Sequence, residues 1–155
     1  MFSHSFYYFR NGDCANFISQ ILEAGGVKQI YFSDPAKGWW HTTGNPHFPI
    51  IGSEHRHSES WSMADTFARY MGVSFTTTNH LAFSTRVNKG SIIGLDFEKD
   101  GDWDHLGFVV DSERYKGSYG FYDYKVAQHT SNYLAWASTS INNWDKGGRY
   151  AIIRQ

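Results

Sequence analysis

Apolar positions along the chain set out the elements before any chemistry is considered. Phe17, Ile18, Ile21 and Leu22 recur at helical spacing behind the breaker and cap residues Asn11, Gly12 and Asp13. Gly25-Gly26 follows, so the pattern predicts a short helix that begins at Asp13 and stops at the glycine pair, with Cys14 in its first turn. A second helix is predicted from Ser60 to about Tyr70, with Ser60 as cap, Trp61, Ala64, Phe67 and Ala68 on one side, and Gly72 as its end. Residues 27 to 60 show no sustained period and read as a long loop region with one or two short elements. The second half changes character. Residues 91–96, Leu106 to Val110, Gly120 to Gln128 and Arg149 to Ile153 are short β-rich runs bounded by turn formers. Helices first and strands afterwards give an α+β domain, with the helices packed on one side of an antiparallel sheet.

Composition narrows the class. A chain of 155 residues fits one domain, 1-155, and 41% apolar with 19% charged residues excludes disorder as the dominant state. Aromatic residues reach 18% and glycines number 15, a mixture that favours strands and tight turns. The net charge of −1 makes nucleic acid an unexpected partner. No run approaches the ~18 apolar residues of a membrane span, so no membrane partner is expected. The segment Met1 to Cys14 lacks a basic start, an apolar run and a small-residue cleavage site. The expectation is therefore a cytoplasmic protein, or one exported by a non-classical, secretion-system or phage route.

One cysteine forms no internal disulfide and no thiolate-rich metal cage. A thiol in the first turn of a helix, however, meets the positive end of the macrodipole and several N–H groups, which favour thiolate and can receive an oxyanion. Ala15 is small, and Phe17 and Ile18 already supply the apolar face, so the sulfur is expected to point toward a groove. Acyl transfer by a thiolate needs a base that protonates the leaving amine, a task suited to histidine. Among eight histidines, His105 opens the run Leu106 to Val110 and His129 follows the run Tyr122 to Gln128. Both lie at strand ends and can face the helix start, with His129 holding the first imidazole. Asp13 reads as a plain helix N-cap. His55 and His57 alternate beside Glu54 and Glu59, but no third and fourth ligand is evident, so neither a metal nor another cofactor is expected. His41, His47 and His80 read as loop residues.

Several blocks together carry a family resemblance. Gly12-Asp13-Cys14-Ala15-Asn16-Phe17-Ile18-Ser19-Gln20 followed by Ala24-Gly25-Gly26 resembles the nucleophile segment of the putative amidase family in the NlpC/P60 branch of papain-like cysteine hydrolases. Trp39-Trp40, Ser58-Glu59-Ser60-Trp61, Asp104-His105-Leu106-Gly107-Phe108-Val109-Val110 and Gln128-His129-Thr130 match in the same order, so the resemblance spans about residues 7 to 153.

The resemblance implies a papain-like NlpC/P60 core in which an N-terminal nucleophile helix packs on a small antiparallel β-sheet. It implies Cys14 as nucleophile, His105 as base and His129 as the orienting residue, with Asp123 as a rival for that last role. Tyr8, Trp40, Trp61 and Asp104 are the expected substrate-binding residues, and a backbone N–H of Cys14 the expected oxyanion donor, with Tyr7 or Tyr8 as a second by analogy. The implied activity is hydrolysis of amide bonds in bacterial peptidoglycan peptides through an acyl-enzyme. Transamidation or protein deamidation on the same triad is an alternative, as is an aromatic-rich cell-wall-binding module without catalysis. An inhibitor or immunity protein is the further partner considered.

Overall fold

The computed structural model describes residues 13–42, 56–129, 133–139, 144 and 147–154. The predicted first helix is present as α1 (Cys14–Ala24), ended at Gly25-Gly26. Two-residue strands β1 (His41–Thr42) and β2 (Arg56–His57) pair antiparallel, with His41 opposite His57. They are the short elements expected between residues 27 and 60.

The predicted second helix is two helices, α2 (Glu59–Ser62) and α3 (Ala64–Met71). Met63 separates them in an extended conformation, φ −102° and ψ 126°. The start also differs from expectation: Ser58 occupies the cap position, and the hydroxyl of Ser60 is turned to the carbonyl of Gly38. Gly72 does end α3, with φ +93°, a backbone region that side-chain-bearing residues rarely enter.

The strands of the second half run as β4 (Ile92–Asp96), β5 (His105–Lys116), β6 (Tyr122–Gln128) and β8 (Arg149–Ile153). Three elements join them that the hydrophobic pattern does not announce: β3 (Val73–Thr77), α4 (His80–Ser84) and β7 (Tyr133–Trp136). The six strands form one sheet in the order β3-β8-β4-β5-β6-β7, with every neighbouring pair antiparallel. β5 outruns its apolar core by six residues, and its polar outer half pairs with β6 through two register shifts.

Alternation along the strands builds two cores. Ile92, Leu106, Ala151 and Ile153 pack with Cys14, Ala15 and Ile18 of α1, Trp61 of α2, and Phe67 and Ala68 of α3. Ile93, Leu95, Val109, Tyr124, Val126, Tyr150 and Ile152 face the other way and pack with Phe83 of α4 and with Trp144. The sheet is thus covered on both faces, which corrects the expectation that helices occupy one side only. β4 is the clearest case: all five of its residues are buried, as a strand sandwiched between two layers requires. Each fully buried Ile or Leu in these layers contributes roughly 1.5–3 kcal/mol relative to exposure.

Among the described residues, no helix is long and apolar enough to cross a membrane.

Candidate active site

The start of α1 is where chemistry-bearing residues converge. The helical ladder begins with the N–H of Phe17 donating to the carbonyl of Asp13 at 2.9 Å. The N–H groups ahead of it lie outside the ladder and face the N-terminal end, where the macrodipole is positive. Cys14 is the first residue of this turn. It is 4% exposed and packs in the core with Trp61 and Leu106, so in this conformation the residue is buried instead of opening on a groove.

Asp13 does not cap the helix with its side chain. Its backbone is helical, φ −94° and ψ −1°, and the carboxylate makes no bond to the helix N–H groups. One carboxylate oxygen instead accepts from the Asn16 amide at 2.8 Å, and the other pairs with Nδ1 of His129. Burial explains the arrangement, since a carboxylate at 2% exposure needs partners for its lone pairs. Asn16 is fixed in turn by the indole N–H of Trp61, which donates to its carbonyl oxygen at 2.9 Å. One turn further on, the Trp39 indole donates to the Ser19 hydroxyl and Ser19 donates to the backbone carbonyl of Trp61, each at 2.9 Å.

His129 follows β6 and is half-buried. Its ring lies parallel to that of Phe17, with centroids 5.1 Å apart and planes 11° from parallel. The imidazole therefore spans the first turn of α1, bonded at Asp13 and stacked at Phe17.

His105 is the first residue of β5 and pairs with Leu95 of β4. Paired residues share a sheet face, and Leu95 belongs to the α4-side core, whereas Leu106 belongs to the α1-side core with Cys14. The ring of His105 meets Phe97 edge-on at 5.1 Å. Its Nδ1 is buried with no hydrogen-bond partner among the described residues. Burial lowers its pKa below the ordinary histidine value, against the opposing pull of the Asp104 charge. The expectation that His129 holds the imidazole of His105 thus meets a different arrangement: Nδ1 of His129 is bonded to Asp13, and Nδ1 of His105 has no partner among the described residues.

The other sequence-chosen residues have definite places. Asp123 is at the opposite end of β6 from His129, roughly 20 Å away at strand rise. Its carboxylate accepts from the backbone N–H groups of Tyr124 and Ser138, each at 3.0 Å, and from the Ser138 hydroxyl. That removes it as an orienting residue for His105. Trp40 and Trp61 are fully buried, their indole N–H groups given to the Lys37 carbonyl at 3.0 Å and to Asn16, so neither ring offers surface to a ligand in this conformation. Asp104 is exposed and accepts the N–H of Phe97 at 2.9 Å, closing the β4–β5 connection.

Tyr7, Tyr8, His47 and His55 lie outside the described residues. His41 is in β1, not a loop, with Nε2 at 2.9 Å from Glu23. His80 opens α4 and its Nε2 is 2.8 Å from the Tyr124 hydroxyl. His57 Nδ1 is 3.1 Å from the Ser62 hydroxyl. Among the described residues, no group of three His, Cys, Asp or Glu side chains is arranged to hold a metal.

Asp13, read from the sequence as a plain N-cap, and Asn16, given no role there, are the residues whose part in the site sequence reasoning missed. The sequence holds one signal for them: Asp13 directly precedes the cysteine, and Asn16 lies three positions on, one helical turn away on the same face.

Comparison with known proteins adds a relationship to this geometry. The chain is 28% identical over 104 residues to the uncharacterized protein YhbB of Bacillus subtilis (strain 168), a match that covers 66% of this chain and 30% of that protein. The chain thus spans less than a third of that relative's length in the match. No solved structure matches. The model of the family described as "Putative amidase domain" matches residues 2–153, nearly the whole chain, and with Cys14 heading α1 and an imidazole bound across that first turn, the chain belongs to the putative amidase domain family.

Proposed function

We propose that this domain is a cysteine amidase or peptidase of the NlpC/P60, papain-like type, acting on amide bonds of bacterial peptidoglycan peptides. The observation that carries the reading is the imidazole of His129, bonded to Asp13 and stacked on Phe17, over the helix turn that Cys14 opens. Membership of an amidase family supports the reaction class. The cell-wall substrate rests on the resemblance of the nucleophile and histidine segments.

In this reading an imidazole takes the Cys14 proton, and the thiolate attacks the amide carbonyl carbon. First-turn N–H groups stabilise the resulting oxyanion. The imidazolium gives its proton to the departing amine as the C–N bond breaks, leaving a thioester. Water, deprotonated by the same imidazole, then attacks the thioester, and the products are a carboxylic acid, an amine and the restored thiolate–imidazolium pair.

Sequence resemblance assigns the proton transfers to His105, with His129 orienting it. The geometry favours a second assignment, in which His129 serves the sulfur directly, because its ring is bound at the start of α1 whereas His105 begins β5 on the α4 side of the sheet. Catalysis by either assignment requires Cys14. Peptide-bearing peptidoglycan fragments incubated with wild-type protein are expected to yield cleaved peptides detectable by mass, and Cys14→Ala to yield none while its circular dichroism matches wild type. A thiol-reactive probe separates this from a wall-binding module: an imidazole-paired thiol labels quickly well below the ordinary thiol pKa of about 8.5, and an unassisted one does not.

A further inference from the structure

We infer that Asp13 is a positioning residue for His129: its carboxylate accepts from Nδ1–H and so fixes the tautomer and orientation of the ring that serves the Cys14 thiol. The inference rests on the reading of Cys14 as nucleophile and deepens it.

Three features of the molecule converge on this role. Asp13 stands at a helix N-terminus, where a carboxylate ordinarily bonds the first N–H groups, yet its side chain makes no such bond and is turned to His129. That orientation is built in: Trp61 fixes Asn16, Asn16 fixes one carboxylate oxygen, and the second oxygen is left for the imidazole. Trp61 is fully buried and Asn16 is 1% exposed, so the relay is anchored in the core. On the ring side, the Phe17 stack sets the plane of the imidazole while the carboxylate sets its tautomer. A histidine whose plane and tautomer are both fixed, and whose protonated form has a carboxylate beside it, is prepared to stabilise imidazolium paired with thiolate.

Asp13 and Cys14 belong to the start of α1, and His105 begins β5, the strand beside β6. Of these, Asp13 is the one bonded to Nδ1. Removing its charge while keeping its shape is therefore expected to release the ring from this orientation and to slow the reaction of Cys14 at neutral pH.

The test is the rate of Cys14 alkylation by iodoacetamide across pH 5 to about 10, together with amide hydrolysis, in wild type, Asp13→Asn and Asp13→Glu. Asp13→Asn is expected to move the alkylation profile upward toward that of a free thiol, about 8.5. It is also expected to lower kcat by on the order of 10²-fold or more while KM changes by less than about threefold. Asp13→Glu is expected to recover part of both effects. A profile for Asp13→Asn that superimposes on wild type overturns the inference.

A second measurement needs no substitution at Asp13. Nitrogen-15 spectra of histidine-labelled wild type, with His129→Gln used to assign the ring, are expected to show Nδ1 of His129 protonated. The opposite neutral tautomer overturns the inference. Neither readout depends on the fate of Cys14→Ala in hydrolysis: full activity of that variant ends the amidase mechanism, while the alkylation profile and the tautomer judge Asp13 alone.

Discussion

His105 is a half-buried imidazole whose Nδ1 has no partner among the described residues, and its environment favours the neutral ring. Its folded pKa lies below its unfolded value near 6.5, because desolvation outweighs the attraction of Asp104. Between those two values the unfolded chain binds a proton that the folded chain does not, so stability falls as pH drops below about 6.5 and the fall stops below the folded pKa. Replacing His105 with Gln removes this contribution. Denaturant midpoints measured from pH 7.5 down to 5 are expected to decline less steeply in His105→Gln than in wild type, and parallel curves would contradict the account.

Activity separates the two histidines in another way. If His129 serves the sulfur, His129→Ala loses hydrolysis by about 10²–10⁴-fold. His105→Ala then loses less, and the reverse order would return the proton transfers to His105. At this scale the sequence was informative about residue types and poor about partners. Cys14, His105 and His129 stand out by type and position, whereas the Asp13–His129 bond joins residues 116 positions apart and has no local pattern to announce it.

At the scale of elements, glycine in the His105 to Val109 segment has a steric cause. A Cβ on Gly107 would come within 2.6 Å of Val126 Cγ1 and 2.9 Å of Trp144 Cζ2, closer than packed carbon atoms approach. Gly107→Ala is expected to destabilise the fold by about 1–3 kcal/mol, read as a lower denaturant midpoint at unchanged slope. An unaltered midpoint would show that β5 and β6 can part without cost. Elements with strong periodicity were legible: α1 ends at its glycine pair, and β8 runs over Arg149–Ile153 as the apolar run does. Those that escaped are short or polar. β3 is an edge strand whose Val73 and Ser74 are exposed, α4 is five residues long, and α2 breaks from α3 at Met63 without proline or glycine to mark it. In each, tertiary packing decides what local propensity leaves open.

Over the whole molecule, the helix bearing Cys14 is tied from two sides. Apolar residues of α1 pack on the sheet beside Ile92 and Leu106, and its polar residues Asn16 and Ser19 are bonded to Trp61 and Trp39. The paired tryptophans, 4.8 Å apart at their centroids, thus support the site from within the core. This explains why they are buried although a substrate groove was the expectation for Trp61. An α+β fold was readable from the order of helices and strands, but the second covered face of the sheet was not, since α4 supplies it from a segment with little apolar signal.

The account stands on covalent chemistry at Cys14, and hydrolysis of peptidoglycan fragments tests it most directly. Wild-type protein is expected to release fragment pairs whose summed mass exceeds that of the parent by one water for each amide bond cleaved, and Cys14→Ala, folded to the same circular dichroism spectrum, to release none. Cleavage by Cys14→Ala at the wild-type rate would contradict it.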